Sequence, residues 1–361
     1  MEHRTRRLRA ALAETDLPGL LVGAPVNRRY LSGFTASYGW LLITRTNAFV
    51  LTDSRYLIQA GREAPGFAAR QIINPGKTLP EVVLELCQES GLDRLAFEAG
   101  HTTVADHGRL AAGLGDAVAL EPTEGLVEEL RMVKDEAEIA VMRRAIAITD
   151  GVMQAVVPQL RPEHTERQAV WLFEQALRMA GAEAPSFPII VAAGSNAALP
   201  HHRPGDDLLG EGQTIIIDMG AHINGYNADL TRTVVLGQPD ERFWAIYNTV
   251  LEAEQRAIAE VRPGVRAHEV DAIARDLITA AGHGNHFGHG TGHGIGMNLH
   301  EAPFLRWTTP GGTSIPLETG MISSVEPGIY IEGWGGVRIE DLVLVTDDGG
   351  EILSQAVKLS G

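Results

Sequence analysis

The stretch 285–303, NHFGHGTGHGIGMNLHEAP, constrains this chain more than any other part of it. It sets four histidines, His286, His289, His293 and His300, among closely spaced glycines. Glycine lets a backbone approach a neighbour or ligand closely and take positive φ. Neutral imidazole is a common metal ligand and the usual proton-transfer group near neutral pH. Carboxylates flank the stretch: Asp218 and Asp229 upstream, Glu326 and Glu340 downstream. One imidazole with four carboxylates suits two divalent cations, where a bare Gly/His loop would only bind metal adventitiously. Buried without partners, four such charges would be costly. The chain offers no cysteine near the cluster, which argues against a structural zinc clip.

The rest of the chain is read around that cluster. With 361 residues, two domains are expected, 1–125 and 126–361. A formal net charge of -16 argues against nucleic acid and anionic membrane surfaces as partners. The single cysteine, Cys87, rules out an intrachain disulfide and fits a reducing compartment. Cys87 lies in an apolar helical pattern with Val82, Val83 and Leu86 and is expected in a core. The arginine-rich start, Arg4 to Arg9, is interrupted by Glu14 and Asp16 and reads as a surface helix. No apolar run reaches membrane-span length, so a cytoplasmic protein is expected.

In the first half, a helix at about 3–15 and a strand at 19–22 precede a hairpin, 40–44 and 48–52, around Arg45, Thr46 and Asn47. A helix at 79–90 and a strand at 94–98 follow, an α/β pattern. Asp53, Arg55 and Tyr56 form a polar cluster at a strand end, either a helix cap or a substrate-contacting edge. In the second half, two helices precede carboxylate-bearing strands, and this happens twice, over 136–236 and 240–345. Asp135 is expected to cap the first of these helices. A hairpin is expected with Asp218 and Asp229 on its two arms, Asp229 sharing a strand face with Thr231 and Thr233. Thr231 then becomes a candidate partner of Asp229. His201 and His202 sit in a stiff, extended segment, so one of the two is expected to face a site.

Five segments in this order resemble the pita-bread metallopeptidases, the superfamily of methionine aminopeptidase, prolidase and aminopeptidase P. They are DMGAHINGYNADLTRT (218–233), HGTGHGIG (289–296), HEAP (300–303), VEPGIY (325–330) and GVRIED (336–341). The resemblance implies an α+β pita-bread catalytic domain with pseudo-twofold halves, behind an α/β creatinase-like N-terminal domain. It implies that Asp218, Asp229, His293, Glu326 and Glu340 bind two divalent metal ions, Mn²⁺ first, with Co²⁺, Zn²⁺ or Fe²⁺ as alternatives. It also implies catalytic roles for His289, His300, Glu326 and His201, and substrate contact by Arg338. Leu342 departs from relatives that carry a second acidic residue there. Asp53-Ser54-Arg55-Tyr56 is similar to the Asp-x-Arg-Tyr motif of small bacterial aminopeptidases P. The expected activity is therefore removal of the first residue from peptides with proline in second position, by a homodimer. Xaa-Pro dipeptidase is the alternative, and a metal-free binding protein on the same fold a remote one.

Overall fold

The computed structural model describes residues 2–73, 76–308 and 312–359. They form two compact units, Met1–Arg131 and Met132–Gly361.

The first unit is built on a mixed six-stranded sheet. In spatial order its strands are Ala68–Gln71, Ala48–Thr52, Trp40–Thr44, Gly19–Val22, Arg94–Glu98 and Ala119–Thr123. The two hairpin strands and Gly19–Val22 pair antiparallel, and the outer pairings are parallel. The expected hairpin closes through Thr44, whose hydroxyl accepts from Asn47 N at 2.8 Å. Cys87 is buried in the core of this unit, and burial pushes its thiol up to about 11. The strands Ala68–Gln71 and Ala119–Thr123 and the helix Val104–Leu114 were not expected from the sequence. The boundary expected at 125/126 moves to 131/132. The helix Leu126–Met132 is tied back to the first unit: Tyr30 Oη donates to Leu130 O, and Asn27 Nδ2 to Glu128.

The second unit holds two cores. In one, the helices Glu136–Val156 and Glu166–Met179 pack on the antiparallel strands Ile190–Ala193, Thr214–Met219 and Leu230–Val235. Asp135 caps the first helix by accepting from Glu138 N at 2.9 Å, as its position predicted. In the other core, the helices Glu241–Glu260 and Ala267–Ala280 pack on a sheet containing Gly292–Gly294, Ile322–Val325 and Asp341–Thr346. Phe243, Tyr247, Val250, Ala253 and Ala257 bury one stripe of the longer helix at helical spacing. Two helices against strands, twice, is the repeat read from the sequence. No helix of the described residues is long and apolar enough to cross a membrane.

Candidate metal centre and catalytic cleft

Asp218 points from the strand Thr214–Met219, opposite Thr231 in register. The return arm is not one strand. It is broken into Tyr226–Asn227 and Leu230–Val235, and Asp229 lies in the break. Gly220 forces this: a Cβ there would lie 1.7 Å from Ala228 O, so the two arms press together where side chains would normally stand. Glu340 follows the strand Gly335–Arg338 and crosses to the first core. Its N–H donates to Thr231 O at 3.2 Å, and Thr231 Oγ1 donates to Glu340 Oε2 at 2.7 Å. The expected pairing of Thr231 with Asp229 is thus replaced by Glu340, a contact between halves that strand alternation does not reveal. Asp218, Asp229 and Glu340 each offer an oxygen within 4.8 Å of the others. His293 completes the group from the other core, its Nε2 3.3 Å from Glu326 Oε1 and 3.8 Å from Asp229 Oδ2.

The electrostatics of the cluster are those of a site short of positive charge. Burial first, and then Glu340, Asp218 and Glu326, hold the Asp229 carboxyl well above its ordinary range. Burial, Glu326 and Asp218 do the same to Glu340, and burial raises Asp218 against the pull of Arg338. Burial would raise Glu326 too, but the hydrogen bond from His293 and the charges of His293, His289 and Arg338 bring it down to about 2. Burial would lower His293, and Glu326 outweighs it. The cluster thus gathers more carboxylate than the neighbouring cationic groups offset. Asp218 Oδ1 and Glu340 Oε1 are buried with no hydrogen-bond partner among the described residues, a cost that a cation between them removes. His293 Nδ1 lies 3.0 Å from Gly294 O, which fixes its proton there and leaves Nε2 facing the carboxylates. These five residues fit divalent metal by charge and donor type.

A cleft of about 1040 Å³ opens over the cluster and is lined by all five residues together with His201, His202, His289, His300 and Arg338. Both adjacent histidines line the cleft, where one was expected, and they differ in their partners. His202 Nε2 is held by the buried Glu166 at 2.7 Å, whereas His201 makes no hydrogen bond among the described residues. His300 likewise has none, and its ring stands edge-on to His293 at 4.2 Å. Burial, then His293, lowers the His300 imidazole, which keeps it neutral. His289 differs from expectation. Its Nδ1 lies 2.7 Å from Gly290 O and its Nε2 2.9 Å from Tyr330 Oη, so neither nitrogen is free for a substrate. Arg338 also departs from its expected substrate contact. It is 3% exposed, and its guanidinium is taken up by Asp218 at 2.6 Å, Thr231 at 3.1 Å and Tyr330 at 3.1 Å. Tyr330, the last residue of the VEPGIY segment, links the two: it accepts from Arg338 and so donates to His289.

Asp53, Arg55 and Tyr56 lie together in the first unit. Asp53 does not cap the following helix. It accepts instead from Arg55 N and from the Arg55 guanidinium, which covers the Tyr56 ring at 5.0 Å. Tyr56 Oη meets Ser37 Oγ at 2.8 Å.

Residues 140–347 match the model of metallopeptidase family M24, and residues 4–133 match that of the creatinase/prolidase N-terminal domain. The chain belongs to metallopeptidase family M24. A Xaa-Pro dipeptidase of Pyrococcus furiosus is 32% identical over 372 residues, 98% of either chain. A Xaa-Pro dipeptidase structure from Bacillus anthracis superposes with a TM-score of 0.94 at 37% identity, covering 99% of this chain and 98% of that one. An X-Pro aminopeptidase structure from Thermotoga maritima gives 0.88 at 33%, covering 97% and 99%. This M24 member is accordingly a hydrolase with the pita-bread catalytic fold.

Proposed function

We propose that this M24 peptidase is a Xaa-Pro dipeptidase that holds two divalent cations on Asp218, Asp229, His293, Glu326 and Glu340. Such cations supply Lewis acidity and a nucleophile at neutral pH. The chain's own groups do the rest. Glu326 stays ionised, is held by Ser324 Oγ at 3.0 Å, and takes the proton of the attacking water. Neutral His300 donates to the oxygen on which charge develops, and His201 faces the proline side. His289 acts one step back, by orienting Tyr330 and through it Arg338 and Asp218. A Xaa-Pro bond has no N–H, so a peptidase that grips that N–H loses this substrate. None of the roles above needs it.

The sequence resemblance placed aminopeptidase P first. The full-length match to proteins named Xaa-Pro dipeptidase supports the dipeptide reading better, and it is the observation that carries the choice. A dipeptide brings its carboxylate into the cleft, where it needs a cation. Arg338 is taken, but Arg203 and Arg306 line the cleft without a carboxylate partner among the described residues. The Thermotoga neighbour keeps the aminopeptidase as a second reading. Cleavage of Xaa-Pro, Xaa-Pro-Xaa and longer peptides in parallel with Mn²⁺ separates them. The dipeptide should be cleaved fastest, and Arg306→Ala should raise KM for it. Faster cleavage of tripeptides would return the assignment to aminopeptidase P.

A further inference from the structure

The segment 287–294 carries His289 in a loop and His293 in the strand Gly292–Gly294, and its own sequence does little to stiffen it. Gly288, Gly290, Gly292 and Gly294 alternate through it. Three of them are forced by close approach. A Cβ on Gly290 would lie 2.8 Å from Arg306 Cβ and 2.9 Å from Leu305 O. A Cβ on Gly292 would lie 2.0 Å from Ser324 O, and one on Gly294 would lie 2.3 Å from Ala302 O. Glycine loses more conformational freedom on ordering than any other residue. The order of the segment therefore has to come from outside it.

For 292–294 it comes from pairing with the neighbouring strands and from Ser324 Oγ, which accepts from His293 N at 3.0 Å; for 287–291 it comes from the helix Ala267–Ala280. Arg275 donates from Nη1 to Phe287 O at 3.0 Å and from Nη2 to His289 O at 2.7 Å. The same guanidinium grips Asp271 with two bonds, 2.9 and 2.8 Å. Asp271, 1% exposed, accepts in turn from Thr291 N and Thr291 Oγ1, both at 2.9 Å. Thr291 O then receives Glu326 N at 2.7 Å. One ion pair thus fixes backbone groups of Phe287, His289 and Thr291, and through Thr291 the start of the segment bearing Glu326. The guanidinium also lies over the ring of Phe287 at 4.4 Å and over that of Trp307 at 4.7 Å. Trp307 is 49% exposed, an unusual place for a large aromatic unless it covers something.

We infer that Arg275 is a positioning residue: with Asp271 and beside Trp307 it holds the loop 287–291 in the geometry that sets His289 and, through Thr291, Glu326, and that leads into the strand bearing His293. The inference rests on the proposed roles of those three residues. Lysine cannot replace it, because one ammonium cannot reach two carbonyls and a carboxylate in fixed planar directions.

The test uses the full chain with Arg275→Met, Arg275→Lys, Arg275→Ala and Trp307→Ala. Wild-type cleavage of Xaa-Pro with Mn²⁺ is measured first, and its absence would sink the proposed function alone. The loop is then read separately, by amide hydrogen exchange and Mn²⁺ titration of the metal-free protein. Arg275→Met should speed exchange across 287–291 by about tenfold and leave the helix Glu136–Val156 unchanged. It should weaken Mn²⁺ binding and lower kcat by about 10²-fold with KM within about threefold, as misplaced catalytic groups do. Methylguanidinium should restore part of the turnover of Arg275→Ala. Trp307→Ala removes only an exposed ring and should shift loop exchange and kcat in the same direction by about threefold. Wild-type loop exchange and kcat in Arg275→Met, with only a lower melting temperature, would overturn the inference. So would Arg275→Lys matching wild type.

Discussion

His289 and His300 line one cleft, yet only His300 offers it a free ring nitrogen. Burial keeps both imidazoles neutral, so the difference is one of hydrogen-bond partners, not charge. His300→Ala should therefore lower kcat by about 10² or more while the Mn²⁺ binding isotherm stays as in wild type. His289→Ala, whose ring acts through Tyr330, should cost clearly less. His293→Ala should lose metal together with activity. Equal losses for His289 and His300 in steady-state kinetics on a Xaa-Pro dipeptide would contradict this division. The sequence could not make the distinction. Both histidines sit in recognisable motifs, but the carbonyl of Gly290 and the hydroxyl of Tyr330 that occupy His289 are supplied by the folded arrangement. The same holds for Arg338, which the sequence offered to the substrate and the fold gives to Asp218.

At the level of elements, strands with strong apolar runs and clear turns were legible: 19–22 and the hairpin around Arg45 stand where their patterns put them. The strands Ala68–Gln71 and Ala119–Thr123 were not, because they lie at the sheet's edges and their sequences, AARQ and ALEPT, carry no apolar/polar alternation. Nor was the break at Asp229, which depends on how closely Gly220 meets Ala228. The helix Glu241–Glu260 shows what such contacts cost. Its Glu254 is fully buried against Lys358, which also pairs with Asp341 at 2.6 Å. Burial, then Asp341, pushes Glu254 from 4.5 up to about 8. The folded state thus binds this proton more tightly than the unfolded chain. The stabilising contribution is complete below about pH 4.5 and is lost as pH rises through about 8. Glu254→Gln should remove that loss, which amounts to roughly 2 kcal/mol or more. Denaturant unfolding across that pH window checks it: a slope as steep in the variant as in wild type would refute the assignment.

For the whole catalytic unit, the cluster joins two cores that otherwise have separate helices and separate sheets. Bound metal should act as a staple between them, adding about 2.7 kcal/mol when free metal is a hundredfold above Kd. Chelation should lower the melting temperature. The gap between metal-loaded and chelated protein should widen as pH rises, because Asp229 and Glu340 must give up their protons to bind, and ionised without metal they repel. Calorimetry at several pH values reads this directly, and a pH-independent gap would count against these two residues as ligands. The seam at Thr231 and Glu340 carries one more implication. Asp218 and Asp229 come from one core, and His293, Glu326 and Glu340 from the other. Neither half owns a complete ligand set, so on the proposed reading hydrolysis is a coincidence signal. Neither stretch of sequence, taken alone, could then cut a peptide: the power to do so belongs to their junction.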